Sequence, residues 1–89
     1  MNQDDQLFVQ LLYTFHQSAM MAMGKLKNPM TDKVEREMEQ AKQAIDILEM
    51  LRDKTKNNLS PALSKTMDNL LTELRLNYVD EMTKETIKS

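Results

Sequence analysis

The chain has 89 residues, enough for one domain, and a domain of this size buries only about 60–65% of the surface that its unfolded form exposes. One Gly, two Pro and abundant Leu, Met, Gln, Glu and Lys favour helices, while the absence of Cys excludes disulfides, thiolate zinc sites and cysteine nucleophiles. A net charge of −2 without any run of basic residues argues against binding to nucleic acid.

The first predicted helix runs from about residue 4 to about residue 23. Asp4 or Asp5 can cap its start, and Gly24 can take the left-handed conformation that often ends a helix. Residues 6–24 are long enough to cross a membrane, but several polar side chains interrupt them. The acidic segment before them lacks the basic region of a secretory signal, so we expect a cytoplasmic protein that does not enter the membrane.

Two apolar seams run side by side along this helix. The first consists of Phe8, Leu12, Phe15, Ala19, Ala22 and Leu26. The second consists of Val9, Tyr13, His16, Met20 and Met23. At 100° per residue they cover an arc of about 200°, whereas a surface helix needs an apolar stripe of only about 100°. Scattered exposed apolar residues are common, but an arc of this width favours burial between subunits.

The width of this arc predicts a homo-oligomer. We expect the first seam to pack within the chain, because two Phe side chains fill a core and two Ala side chains allow helices to approach closely. The second seam would then face a second copy, and a two-fold dimer is the commonest closed arrangement. Two smaller apolar patches are alternative contact points. They are Ile47 with Met50 and Leu76 with Val79.

His16 is the single imidazole of the chain and lies in the second seam. We interpret it as a polar residue that fixes helix register. A proton-dependent switch and a metal ligand shared between subunits are the alternatives. A carboxylate-bridged di-iron bundle would need Glu three residues before the His, and Tyr13 stands there instead. We therefore predict neither a metal nor any other cofactor.

The second predicted helix runs from about residue 32 to about residue 55, with Asp32 as its cap and Glu35 as the acidic partner. Asn57 or Asn58 can supply the left-handed exit. The apolar seam of this helix consists of Val34, Met38, Ala41, Ile45 and Leu48. A polar seam lies beside it and consists of Glu35, Glu39, Lys42, Asp46, Glu49 and Asp53. We interpret the polar seam as a solvated face, with docking of a basic partner as the alternative.

The third predicted helix runs from about residue 60 to about residue 84, with Ser60 as its cap and Pro61 in its first turn. Its seam consists of Leu63, Met67, Leu70, Leu74 and Tyr78. Three helices with such seams predict an all-α fold, a small bundle that is completed by self-association.

One stretch of the sequence is more characteristic of a particular family than the rest of the chain. The hinge motif between the second and third helices contains Lys54, Thr55, Asn58, Leu59, Ser60 and Pro61. Together with Ile45–Leu51, with Leu74–Val79 and with Phe8, Ala19, Ala22 and Gly24, it resembles a bacterial family of short proteins, the domain of unknown function DUF1844. The resemblance covers about residues 8–80 and implies an all-helical bacterial protein without an assigned activity. Asn57 stands where that family usually has Gly.

Helix ends alone can explain the hinge motif, because its polar side chains can satisfy backbone groups that two helix ends leave open. A ligand or partner site at the hinge is the alternative. We expect the whole protein to be an interaction or scaffolding module rather than an enzyme. The alternative function is binding of a small apolar ligand in a groove between helices lined by some of the nine Met residues.

Overall fold

The first helix begins one residue earlier than the sequence indicates. In the computed structural model, which describes residues 2–88 and the side chains of residues 2–84, α1 spans Gln3–Ala22. Asn2 caps it, because its Oδ1 accepts a hydrogen bond from the backbone N of Asp5 at 2.8 Å. The prediction of Asp4 or Asp5 as the cap is therefore wrong. Both lie in the first turn, where their negative charge offsets the helix dipole.

Gly24 ends α1 as the sequence predicts. Its φ is +80°, and its backbone N donates to the carbonyl oxygen of Met21 at 3.0 Å. The backbone N of Lys25 donates to the carbonyl oxygen of Met20 at 2.9 Å. This pair of bonds is the Schellman arrangement, and it satisfies two carbonyls that the helix end would leave open.

The predicted start of the second helix at Asp32 is wrong. The helix α2 spans Met38–Lys54, and residues 24–37 form a long connection without helix. Asn28 organises this connection: its Oδ1 accepts from the backbone N of Met30 at 2.9 Å, and its backbone N donates to the carbonyl oxygen of Lys33 at 2.8 Å. Asp32 sits at φ +55° in the resulting turn, so it cannot start a helix. Val34, assigned to the seam of this helix, is an exposed residue of the connection.

The turn between α2 and α3 follows the predicted chemistry. Asn57 takes the left-handed conformation, with φ +68°. Ser60 accepts a hydrogen bond on its Oγ from the backbone N of Leu63 at 3.2 Å, and Pro61 is the first residue of α3. The helix α3 spans Pro61–Lys88 and so continues past the predicted end near residue 84.

All three helices contact one another around one core, which confirms the predicted three-helix all-α fold. Ion pairs join Lys25 at the end of α1 to the late part of α3, so α1 and α3 run in the same direction and α2 runs against them. The buried apolar side chains are Leu12, Ala19, Met23, Ala41, Ala44, Ile45, Leu48, Leu63, Met67, Leu70, Leu71 and Leu74. Against them pack the partly buried Phe8, Phe15, Met20, Ala22, Met38, Leu51 and Tyr78.

The seams account for this core in large part. The third seam is confirmed from Leu63 to Leu74, and in the first seam Leu12 and Ala19 are buried as expected. Leu26 of the first seam lies beyond the helix and is exposed. Leu71 is fully buried although no seam included it. It lies four residues after Met67, so it faces the same side of α3.

Candidate interaction surface

Beyond its first turn, the exposed face of α1 carries no Asp, Glu, Lys or Arg. Residues 6–24 contain none of these four residue types, although they make up 29% of the chain. The exposed members of this stretch are Gln6, Leu7, Gln10, Leu11, Tyr13, Thr14, Gln17 and Ser18. A helix face that met only water would normally carry charges opposite its apolar side. The composition of this face is therefore closer to that of a contact surface.

On one flank, this uncharged face continues onto α2. Leu7, Leu11, Phe15 and Ser18 follow one another at helical spacing along α1. Phe15 and Ser18 line a shallow groove of about 340 Å³. Across the groove, α2 contributes Gln40, Gln43, Ala44 and Ile47.

We define the α1–α2 edge as the surface made of Leu7, Leu11, Phe15, Ser18, Gln40, Gln43, Ile47 and Met50. The helices α1 and α2 are antiparallel. Beyond the groove, toward the same end of the bundle, α1 therefore presents Leu11 and then Leu7, and α2 presents Met50. Leu7, Leu11 and Met50 are 53%, 40% and 45% exposed. The edge thus has apolar side chains on both helices, Leu7 and Leu11 on α1 and Ile47 and Met50 on α2. Gln and Ser side chains lie at one end of it.

The predicted interface residues on the second seam lie mostly against the chain itself. Met23 is 0% exposed and belongs to the core, so its assignment to a surface is wrong. Met20 packs against the core, and Val9 is half-buried. Tyr13 remains half-exposed, with its ring edge-on to that of His16 at a centroid distance of 6.1 Å. The seam turns toward α3, which explains why its apolar residues are covered without a second chain.

His16 lies between α1 and α3. Its side chain is 18% exposed, and its Nε2 lies 3.3 Å from Oε1 of Glu73 on α3. The Nε2 atom is shielded from solvent and makes no hydrogen bond of good geometry. The sequence predicts a polar residue in an apolar seam here, and the structure adds that its charged neighbour comes from α3.

The hinge motif mainly builds the turn. Thr55 donates through Oγ1 to the carbonyl oxygen of Leu51 at 2.6 Å, and the backbone N of Asn58 donates to the carbonyl oxygen of Thr55 at 2.9 Å. Leu59 is half-buried under the turn, whereas Lys54 is exposed. A cavity of about 470 Å³ adjoins the motif. It is lined by Arg52, Asp53, Thr55, Lys56, Asn57, Leu59, Ser64 and Asp68, two cations and two anions among them. The motif therefore has a structural role, and the cavity beside it has balanced charge.

The polar seam of α2 is engaged in ion pairs along part of its length. Lys42 lies 3.0 Å from Asp46, and this hydrogen bond raises the pKa of Lys42. Glu49 accepts from Nε and Nη2 of Arg75 on α3, at 2.9 and 2.7 Å. Among the residues with described side chains, no group of three or more His, Asp or Glu could hold a metal ion. The seam thus helps to fasten α2 to α3.

Glu81 is a buried carboxylate that the sequence analysis missed. It is 7% exposed, and its oxygens contact Nζ of Lys25 at 2.9 Å, Nζ of Lys84 at 3.1 Å and the guanidinium of Arg36. The Lys25 hydrogen bond is the main reason that the pKa of Glu81 falls to about 2, against the opposing effect of burial. A signal existed, since Glu81 follows Tyr78 by three residues and so continues the apolar seam of α3.

Most of the methionine side chains either pack in the core or lie apart from one another on the surface. Met23 and Met67 are fully buried, whereas Met30 in the connection is 93% exposed. A cavity of about 200 Å³ beside the end of α1 has Met21 in a lining that is otherwise Ser18, Ala22, Asn28, Glu35, Glu37 and Gln40. This lining is largely polar.

Comparison with protein families identifies the family of this chain. The sequence model of the family described as a domain of unknown function, DUF1844, matches residues 5–81, which is most of the chain. The protein therefore belongs to this family, as the hinge motif indicates. Comparison with curated proteins and with solved structures finds no significant match. Within the described residues, no helix is both long enough and apolar enough to cross a membrane.

Proposed function

We propose that this protein is a small interaction module that assembles with a second copy of itself through the α1–α2 edge. The observation that carries the proposal is the uncharged exposed face of α1, which continues onto α2 through the groove between Phe15 and Ile47. Large apolar side chains remain exposed along it after the core of the chain is complete. Apolar surface of this kind gains free energy when a partner covers it.

The charge pattern favours a second copy over a different partner. In a two-fold contact, the same patch lies on both subunits, so a residue near the axis faces its own equivalent. A charged residue there would face a like charge in a desolvated contact, at a cost of several kcal/mol. The α1–α2 edge avoids this cost because it contains no charged residue.

The polar residues of the edge are also suited to self-contact. Gln40 and Gln43 flank the groove, and an amide side chain both donates and accepts hydrogen bonds. Two copies of the same Gln can therefore pair with each other. Leu11 and Met50 would lie in the apolar part of such a contact, with Met adapting its shape to the opposing surface.

The proposal gives the chain a binding role rather than a catalytic one. Ionisable side chains pair with one another across its elements, as Glu49 does with Arg75 and as Lys25 does with Glu81. Groups paired in this way stabilise the bundle, and no further chemistry is needed to explain them.

Light scattering coupled to size exclusion tests the proposal on the full chain. We expect twice the chain mass of 10.4 kDa for the wild type at micromolar concentration. Leu11→Glu places a charge in the edge and should give a single-chain mass. Leu76→Glu is the matched control, because Leu76 is 68% exposed on α3, outside the edge.

Two results would contradict the proposal. A wild-type mass of one chain at micromolar concentration would remove self-association. A dimer that persists in Leu11→Glu but dissociates in Leu76→Glu would assign the contact to α3 instead. Circular dichroism of each variant checks that helicity is retained.

A further inference from the structure

We propose that residues 24–37, here called the strap, open as a unit while the three helices stay packed, and that the Glu81 side chain is the anchor that holds the strap closed. This inference is independent of the proposed self-association. Three observations support it. Both ends of the strap are attached to Glu81, the strap buries little apolar surface, and its two ends meet at the end of α1.

Both ends of the strap converge on Glu81. Lys25, near the start, reaches Oε2 of Glu81 at 2.9 Å. Arg36, near the end, donates to Oε1 of Glu81 and to its backbone carbonyl oxygen, the latter at 2.9 Å. One carboxylate therefore joins two points of the strap that are eleven positions apart in the chain.

The other charged groups at this anchor come from α3. Asp80 contacts Nζ of Lys25 at 3.1 Å, and Lys84 contacts both Asp80 and Glu81. The anchor is thus a cluster in which Glu81 is the buried member and the other groups lie nearer to solvent. Removal of the Glu81 charge would leave Lys25, Arg36 and Lys84 around a neutral group.

The strap buries little apolar surface of its own. Its large apolar side chains, Leu26, Met30 and Val34, are all exposed. Opening of the strap would therefore cost little hydrophobic free energy, and segments with few buried apolar contacts are those that open locally. The strap is held instead by its polar contacts with α3 and by a backbone hydrogen bond to the end of α1.

The ends of the strap meet at the end of α1. The backbone N of Glu37 donates to the carbonyl oxygen of Ala22 at 2.7 Å. Gly24, at φ +80°, turns the chain away from α1, and a Cβ on it would lie 3.7 Å from Cγ1 of Val34. The strap is thus a closed loop with a left-handed hinge at its start, and its opening would release the Ala22 carbonyl.

Amide hydrogen exchange measured residue by residue by NMR tests the proposal on the full chain. The reporter is the amide of Glu37, whose hydrogen bond to the carbonyl oxygen of Ala22 breaks when the strap opens, whereas the amides of Asn28 and Asp32 are bonded within the strap itself. In Glu81→Gln, the exchange of the Glu37 amide should accelerate about ten- to hundredfold, as expected when hydrogen bonds to a charged group are lost. The amides of Ala41–Leu48 in α2 should exchange much more slowly than the strap amide in both the wild type and the variant, because they need global unfolding.

Glu49→Gln is the matched control, because Glu49 also pairs with an Arg across two elements. It should leave the strap amides unchanged. Unchanged strap rates in Glu81→Gln would overturn the role of Glu81. Equal protection of the strap and α2 amides in the wild type would show that the strap opens only when the whole chain unfolds.

A measurement on the wild type covers the case in which Glu81→Gln does not fold. At low denaturant concentration, amides that exchange by local opening show little dependence on denaturant, whereas those that need global unfolding show a steep one. We expect the strap amides to follow the first pattern and the amides of Ala41–Leu48 to follow the second. The same steep dependence in both segments would refute the proposal.

Discussion

Glu81 shows how much one side chain can depend on residues far away in the sequence. Its place in the α3 seam would favour an apolar residue, and a buried carboxylate is stable only when it is well paired. Lys25 and Arg36 supply that pairing from the strap. The carboxylate therefore stabilises the fold only in its ionised form.

The pKa of Glu81 predicts a loss of stability in acid. The pKa falls from its ordinary 4.5 to about 2 in the folded chain, mainly because of the hydrogen bond from Lys25. A depressed folded pKa contributes stability that is fully present above the unfolded pKa and is lost as the pH falls through the folded one. We expect the free energy of unfolding, measured by urea denaturation, to decrease between about pH 4.5 and pH 2.

Glu81→Gln separates this contribution from that of Asp80. The pKa of Asp80 is also lowered, through its hydrogen bonds with Lys25 and Lys84, so part of the acid loss belongs to Asp80. The variant should start at a lower free energy of unfolding and lose less of it over the same pH range. An equally steep decrease in the variant and the wild type would mean that Glu81 does not contribute.

At the scale of the elements, local signals predicted α1 and α3 well and the start of α2 poorly. Gly24, Asn57 and Ser60 act where the sequence places them: Gly24 and Asn57 take the left-handed conformation, and Ser60 caps α3 through its side chain. Asp32 has the pattern of a helix cap, but Asn28 and the following Pro form a turn that places Asp32 at positive φ. The hydrogen-bonded turn at Asn28 therefore occupies residues that the spacing of apolar side chains had assigned to the start of a helix.

The left-handed positions Gly24 and Asn57 predict different responses to substitution. Gly24→Ala should lower the free energy of unfolding by about 1–2 kcal/mol, because a Cβ disfavours this conformation. Its Cβ would meet only ordinary contacts at 3.7 Å or more, so the cost is conformational. Asn57→Gly should be close to neutral, since Gly accepts φ +68° freely. Urea denaturation of both variants measures the difference, and equal costs would contradict this explanation.

At the scale of the whole molecule, the sequence indicated an apolar excess on α1 but not which flank keeps most of it exposed. The width of the apolar arc was visible, whereas the direction in which α3 packs was not. In the second seam His16 faces α3 and Met23 is buried, while Tyr13 stays half-exposed, and Leu7 and Leu11 are exposed on the other flank. Helix periodicity defines faces, but only the packing of three helices decides which face stays exposed.

Self-association predicts that thermal stability depends on protein concentration. A partner that binds only the folded chain stabilises it in proportion to the logarithm of its concentration over the dissociation constant, about 2.7 kcal/mol at a hundredfold excess. We expect the Tm of the wild type to rise over a concentration range of about hundredfold. In Leu11→Glu the Tm should be lower at high concentration and constant across the range, because the charge prevents association without disturbing the core. Leu76→Glu should keep the wild-type dependence, since Leu76 lies outside the α1–α2 edge. A wild-type Tm that stays constant across the range would contradict self-association through the α1–α2 edge.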